Sequence, residues 1–258
     1  MKPAIVVTGA SSGIGRDLAR IAAREGSFMM LVGRSQTALD DVASELTAGG
    51  AQALALGLDL ADPSAGTRIE SELRERGLFC DVLVNSAGFG LFGRAAEINR
   101  AEQLSLLDVN ARALTDLTLR FLPGMVARGR GGVLNVGSIT GYMPGPNLAL
   151  YFASKAYVRS FSAALAEELA GSGVTVTCLA PGVVRTAFFD RCAIGHTRMF
   201  KIMPRSNSPA TAAAGWRGFQ AGKRVVIPRL IDRMIAAMCN VLPDRVLARL
   251  IFALQRAR

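Results

Sequence analysis

Histidine occurs once in the 258 residues, at His196, which leaves a Ser-His-Asp hydrolase or a histidine-based metal site almost no material. No metal is therefore expected. Cysteine is sparse and scattered: Cys80, Cys178, Cys192 and Cys239 form no Cys-x-x-Cys spacing. Such thiols read as reduced, and a reducing cytoplasm is the expected setting. No apolar run approaches the roughly eighteen residues that a spanning helix needs. The longest candidate, 235–242, is interrupted by Asn240 and stopped by Pro243. A charged n-region, an apolar h-region and a small-residue cleavage site are all missing from the start, so a secretory leader is not expected. Lysine is rare as well, with only Lys2, Lys155, Lys201 and Lys223.

What the chain has in quantity is hydrophobic residues, 50% of the total, ample for a parallel sheet covered on both faces. Short runs rich in Val, Leu or Met at 4–8, 28–33, 53–58, 82–85, 133–136, 174–179 and 225–227 read as buried strands. Helical stretches lie between them at 16–24, 38–46, 64–76, 101–127 and 151–170. Strands alternating with helices imply right-handed βαβ units, and hence an α/β, Rossmann-like, doubly wound parallel sheet in a single domain. Ser208-Pro209 reads as an N-cap followed by proline at the first helical position, which makes 187–207 an insertion between strand and helix. The formal net charge is +10, and all of it falls after residue 197: from Arg198 onward twelve Lys or Arg accompany only Asp232 and Asp244. The expected organisation is a body, 1–228 with its loop, that is neutral as far as residue 197, and a basic amphipathic extension, 229–258.

Two motifs carry chemistry. Thr8-Gly9-Ala10-Ser11-Ser12-Gly13-Ile14-Gly15 follows a strand and opens a helix, where glycines let a backbone approach a pyrophosphate and the helix terminus offers unpaired N–H groups. Its spacing, Gly-x-x-x-Gly-x-Gly, is not the common dinucleotide fingerprint, and taken alone it is a weak signal, with a structural turn as the less favoured alternative. Tyr151 and Lys155 lie four apart on a helix and share a face. With so few tyrosines and lysines, chance supplies roughly 0.05 such pairs, so the spacing carries information. A free phenol has a pKa of about 10, and a neighbouring ammonium lowers it toward the range useful for acid–base work.

In their order and spacing, Thr8 to Gly15, Asp59-Leu60, Asn85-Ser86-Ala87-Gly88, Asn110, Gly137-Ser138, Tyr151-x-x-x-Lys155 and Pro181-Gly182-Val183-Val184-Arg185-Thr186 resemble the short-chain dehydrogenase/reductase family over residues 4 to about 190. Ser86 departs from the family pattern, which has a second Asn there. The resemblance implies an oxidoreductase that moves a hydride between a nicotinamide cofactor and a ketone or secondary alcohol. Tyr151 would be the general acid or base, Lys155 would lower its pKa and hold the nicotinamide ribose, and Ser138 would hydrogen-bond the substrate oxygen. Asn110 would hold a water that resupplies protons through Lys155. The cofactor-binding set it implies is Gly9, Ser11, Ser12, Gly13, Ile14, Gly15, Arg34, Asp59, Leu60, Asn85, Ala87, Gly88, Tyr151, Lys155, Pro181, Gly182, Val184 and Thr186. No acid lies between Glu25 and Asp40, where an enzyme using NAD would hold the ribose 2′-OH. Arg34 stands there instead and suits a 2′-phosphate, so NADP(H) is favoured over NAD(H), the alternative being a solvated loop arginine.

Phe89, Phe92, Tyr142, Met143, Phe188, Phe189, Met199, Phe200 and Met203 are expected to border the substrate and point to a hydrophobic carbonyl or alcohol, or else to close the core. Relatives in the family often form dimers or tetramers through the helices at 101–127 and 151–170. In the extension, Arg245, Arg249 and Arg256 lie near one face while Val246, Leu247, Leu250, Ile251 and Leu254 form an apolar stripe. Packing on the body or on a partner subunit and contact with an anionic membrane are both open readings. No motif or aromatic interleaving supports a nucleic-acid partner. The alternative to an enzyme is a nucleotide-sensing or membrane-peripheral binding protein on the same fold.

Overall fold

The computed structural model describes residues 1–186, 192 and 203–255. Each strand run found in the sequence forms a strand. In chain order the elements are β1 (Lys2–Thr8), α1 (Gly13–Ala22), β2 (Phe28–Gly33), α2 (Gln36–Ala48), β3 (Ala53–Gly57), α3 (Ala65–Glu75) and β4 (Leu78–Asn85). Then come α4 (Arg100–Leu107), a π-helical segment (Asp108–Ala113), α5 (Leu114–Arg128), β5 (Gly131–Val136), a 3-10 turn (Ile139–Tyr142), α6 (Ala149–Glu168) and β6 (Val174–Leu179). The last group is β7 (Val184–Arg185), β8 (Ser206–Asn207), α7 (Ser208–Gln220), β9 (Val225–Val226), α8 (Leu230–Cys239) and α9 (Asp244–Gln255).

Seven strands form one parallel sheet in the order β3-β2-β1-β4-β5-β6-β9, and β7 pairs with β8 alongside it. Side chains alternate across the pleat. Ala4 and Val6 of β1 enter one core with Ile69 of α3, Phe121 of α5 and Leu165 of α6, while Ile5 and Val7 enter the other with Leu18 of α1, Val42 of α2 and Trp216 of α7. The four cysteines are free and buried. The strand order reverses between β1 and β4, which pair with Thr8 opposite Asn85, and at such a switch point the loops at the carboxyl ends part to leave a crevice.

Two sequence expectations shift. The single helix expected over 101–127 is two α-helices joined by the π-helical segment, whose wider turn accompanies the inward bonding of Asn110. The cap of α7 is Asn207 and not Ser208. The Asn207 carboxamide oxygen accepts from the Ala210 amide at 2.8 Å, and Ser208 becomes the first helical residue. Asn and Ser cap comparably, so sequence alone could not separate the two positions. Residues 206–207 of the expected insertion form β8, whereas Phe188, Phe189, His196, Met199, Phe200 and Arg256 lie outside the described residues.

Candidate active site

The carboxyl ends of β1, β2, β3, β4, β5 and β6 feed loops that line a cleft of about 460 Å³. At one end sits the first turn of α1. Ser12, its N-cap, makes no side-chain cap bond, so the amides of Gly13, Ile14 and Gly15 have no intrahelical acceptor, and all three residues line the cleft. The glycines here answer to crowding as well as to conformation. A Cβ on Gly15 would stand 2.3 Å from the Gly9 carbonyl oxygen, and one on Gly9, whose φ is +66°, would stand 2.8 Å from the Ala87 backbone. Across the cleft, a Cβ on Gly13 would reach 3.0 Å from Thr186 Cγ2. Thr8 fastens this end: its hydroxyl oxygen accepts from the amides of Ser86 (3.1 Å) and Ala87 (3.2 Å). Free helix amides in a glycine-lined turn attract an anion.

Arg34 follows β2 and lies exposed on the rim beside Gly33 and Ser35, with no acidic partner among the described residues. Asp59 and Leu60, after β3, also line the cleft, and the Asp59 carboxylate accepts from the Ala61 amide at 2.9 Å. Ser11, Ala87, Gly88, Pro181, Gly182, Val184 and Thr186 complete this wall. Asn85 does not line the cleft. Its amide nitrogen donates to Asn135 Oδ1 (2.9 Å) and Thr118 Oγ1 (3.2 Å), in a buried chain that continues from Asn135 to Ser162 at 2.9 Å. Asn85 thus supports the end of β4 from inside the sheet, a correction to its expected place.

Ser138, Tyr151 and Lys155 meet at the other end. Ser138 caps the 3-10 turn, its hydroxyl oxygen accepting from the Thr140 amide at 3.1 Å and its proton going to the Pro181 carbonyl at 3.3 Å. Tyr151 opens the first turn of α6, packs edge-on to Phe152 with ring centroids 6.2 Å apart, and shares a cluster with Leu148, Phe152, Cys192 and Ile251. Burial pushes its phenol up, and a hydrogen bond with Ser138 opposes that. The expected lowering by Lys155 does not appear in this state. Lys155 Nζ donates to the Val136 carbonyl at 2.8 Å and stands 5.8 Å from the Tyr151 ring centroid. Burial lowers the Lys155 ammonium itself to about 8.

Asn110 sits beneath this group, buried in the π-helical segment, a departure from α-geometry that recurs at functional sites. Its side-chain oxygen accepts from the Phe89 amide (3.0 Å), and its nitrogen donates to the Phe89 carbonyl (2.9 Å) and to Ser154 Oγ (3.2 Å). The side chain is therefore occupied with fixing the loop after β4. A Cβ on Gly88 would lie 3.1 Å from Asn110 Oδ1 and 3.7 Å from Lys155 Nζ, so Gly88 permits the approach. Ser154, three residues after Tyr151, was not singled out in the sequence, although its place on the motif helix was a usable signal.

The remaining wall is apolar. Met143, Leu148, Phe152 and Met203 line it, and so do Ile235, Met238, Leu247, Leu250, Ile251 and Leu254 of α8 and α9. An ion pair fastens the start of α8 to the body. Arg229 contacts Asp232 through two bonds of 2.7 Å and donates to the Pro204 carbonyl, while Asp232 accepts from the Gly182 amide at 3.3 Å. A Cβ on Gly182 would stand 2.3 Å from Asp232 Oδ1, so the closeness of this contact requires glycine. The i, i+3 spacing of Arg229 and Asp232 was legible, but its target in the loop after β6 was not.

Residues 3–193 match the family model described as short chain dehydrogenase. The chain is 36% identical over 190 residues to sulfoacetaldehyde reductase 2 of Chromohalobacter salexigens, covering 73% of this chain and 75% of that protein. Among solved structures, it is similar to a short-chain dehydrogenase from Sphingobium yanoikuyae in complex with NADPH, with a TM-score of 0.81 and 30% identity over 93% of this chain and 96% of that one. It is also similar to the bulky-bulky ketone specific alcohol dehydrogenase from Comamonas testosteroni, with a TM-score of 0.76 and 26% identity over 94% and 95% of the two chains.

Proposed function

Because the chain belongs to the short-chain dehydrogenase/reductase family, whose members are oxidoreductases acting on alcohol and carbonyl groups, we propose that it is an NADP(H)-dependent reductase or dehydrogenase of a hydrophobic ketone/secondary alcohol pair. The observation that carries the proposal is the meeting of Ser138, Tyr151 and Lys155 at one end of a cleft whose other end is an uncapped, glycine-lined helix terminus. The residues fit a dinucleotide. Gly9, Ser11, Ser12, Gly13, Ile14 and Gly15 would hold the pyrophosphate, Asp59, Leu60, Ala87 and Gly88 the adenosine side, and Pro181, Gly182, Val184 and Thr186 the nicotinamide side. Arg34, uncommitted on the rim, would take the 2′-phosphate. When bound, the dinucleotide supplies the hydride chemistry.

The chain's own residues supply the proton and the placement. Ser138 Oγ positions the substrate oxygen against the Tyr151 hydroxyl, which gives up its proton to that oxygen in the reductive direction and takes one back in the oxidative direction. The resulting phenolate needs a nearby cation, and Lys155 is the one ammonium lining the cleft among the described residues. Asn110 holds the Phe89 loop and Ser154 in place beneath both, and resupply of the proton through a water at this position belongs to the same proposal. The Comamonas relative's bulky ketones and the apolar wall here both support a hydrophobic substrate. Residues 1–228 form the catalytic unit in this reading, and 229–258 an extension that walls the substrate end.

The test is a titration of the purified protein with NADPH and NADH in parallel, followed by reduced-nicotinamide fluorescence. Tighter binding of NADPH is expected, and Tyr151→Phe should leave it intact while lowering turnover of a hydrophobic ketone by about 10²–10⁴-fold. Equal binding of the two would overturn the role of Arg34, and failure to bind either would overturn the whole reading. A homo-oligomer belongs to the same proposal: Leu119 and Val126 of α5 and Tyr157 of α6 are exposed apolar side chains on the helices that relatives use for assembly. Light scattering should give a mass above one chain, and Leu119→Glu should reduce it.

A further inference from the structure

The two C-terminal helices are apolar on both sides. One side is buried: Ala236 and Cys239 of α8 and Leu247 and Ile251 of α9 pack inward. On the other side of α8, Leu230 (71% exposed), Met234 (61%) and Met238 (46%) recur at i, i+4 and i+8, which places them on one face, and Val241 (83%) is exposed in the turn just beyond the helix end. Val246 and Leu250 (44%) of α9 are exposed as well. Side chains this large and this exposed, grouped on adjoining helices, mark a surface that meets something. Met238 and Leu250 belong to both sides, since they are exposed and also line the cleft. The mouth of the apolar cleft therefore opens within the apolar patch.

The charge around the patch selects the partner. Arg233, Arg245 and Arg249 are exposed and enter no ion pair among the described residues, and the one buried acid of α8, Asp232, is already paired with Arg229. From Arg229 onward the sequence has six arginines and two aspartates. A second copy seated here by two-fold symmetry would set these arginines against their own kind. An anionic lipid surface complements them, and helices with apolar and arginine-bearing faces settle into the headgroup boundary. No helix among the described residues is long and apolar enough to cross a membrane, which suits a surface contact.

We propose that the outer face of α8 and α9 docks on an anionic membrane surface, setting the mouth of the cleft against the lipid. A ketone or alcohol dissolved in the bilayer then reaches Tyr151 without crossing water. This use of the mouth rests on the oxidoreductase reading, whereas the docking does not.

The experiment uses the full chain and scores the two separately. Protein is pelleted with vesicles of phosphatidylcholine alone, or of phosphatidylcholine with an equal amount of phosphatidylglycerol, and NADPH binding is followed by fluorescence on the same samples. Pelleting is expected with the anionic vesicles only, weakening as salt is raised. Met234→Asp and Val241→Asp alter exposed side chains, so both should fold and bind NADPH as before while pelleting falls about tenfold. A Met238→Cys protein carrying an environment-sensitive fluorophore should shift to the blue when anionic vesicles are added, because the rim enters the lipid. No pelleting, pelleting that both aspartates leave unchanged, or self-association through this face without vesicle binding would overturn the docking. Pelleting without a blue shift would overturn the placement of the mouth. Loss of NADPH binding in the unaltered protein would overturn the enzyme reading and leave the docking intact.

Discussion

Lys155 is the residue whose surroundings matter most to the chemistry. Its ammonium is buried, bonded to one carbonyl, and lowered to about 8 from 10.5 by the loss of water around it. The sign of its linkage follows. Above about pH 8 the folded protein releases a proton that the unfolded chain keeps until about 10.5, so this group's penalty on stability is in full force below 8 and fades as pH rises between the two values. Dinucleotide binding runs the other way. A ribose hydroxyl held by the ammonium is held only while the proton is present, so NADPH affinity should fall as pH rises through about 8. Lys155→Met should abolish that dependence in the same fluorescence titration. The spacing of Tyr151 and Lys155 was readable in sequence because four residues make nearly one helical turn. The direction of the phenol's shift was not, because it depends on Cys192 and Ile251 joining the adjacent Phe152 around the ring from two distant parts of the chain.

At the level of elements, the ion pair between Arg229 and Asp232 joins three of them: the start of α8, the loop after β6 and the segment leading into β8. Asp232→Ala removes a carboxylate that is almost wholly buried while Arg229 keeps some contact with water, so the cost should be about 2 kcal/mol in urea unfolding. The same change frees the Pro181–Gly182 loop and α8 together, and both NADPH affinity and the KM for a hydrophobic ketone should worsen. Elements were the most legible level of this protein. Short runs of Val and Leu fixed all seven strands of the main sheet, because a strand buried on both faces has no polar alternation to confuse it. What escaped was local: the π-helical turn at Asp108–Ala113 has no composition of its own and follows from bonds that Asn110 makes to Phe89, twenty-one residues away.

For the molecule as a whole, the sequence placed the glycine turn, Arg34, Ser138, Tyr151 and Lys155 around a common crevice, since parallel βαβ units deliver the ends of all their strands to one edge. It did not show that the extension closes that crevice. An amphipathic stripe states that a helix has a partner and leaves open where the partner lies, and here it is Leu148 and Phe152 of the body that meet Ile251.

The buried cysteines give this architecture a built-in clock. Cys80 lies in β4 at the centre of the sheet, with its thiol pushed far up by burial, while Cys239 belongs to α8. Cys80 is sealed in the sheet and Cys239 faces only the apolar end of the cleft, so the rate at which each meets an alkylating reagent measures how often its surroundings loosen. If α8 lifts away more readily than the sheet unravels, Cys239 should be alkylated well before Cys80 in native buffer, as peptide mass spectrometry would register. A saturating dose of NADPH should slow both. The ratio of the two rates would then give, from one unmutated sample, the free-energy gap between loosening the extension and losing the fold.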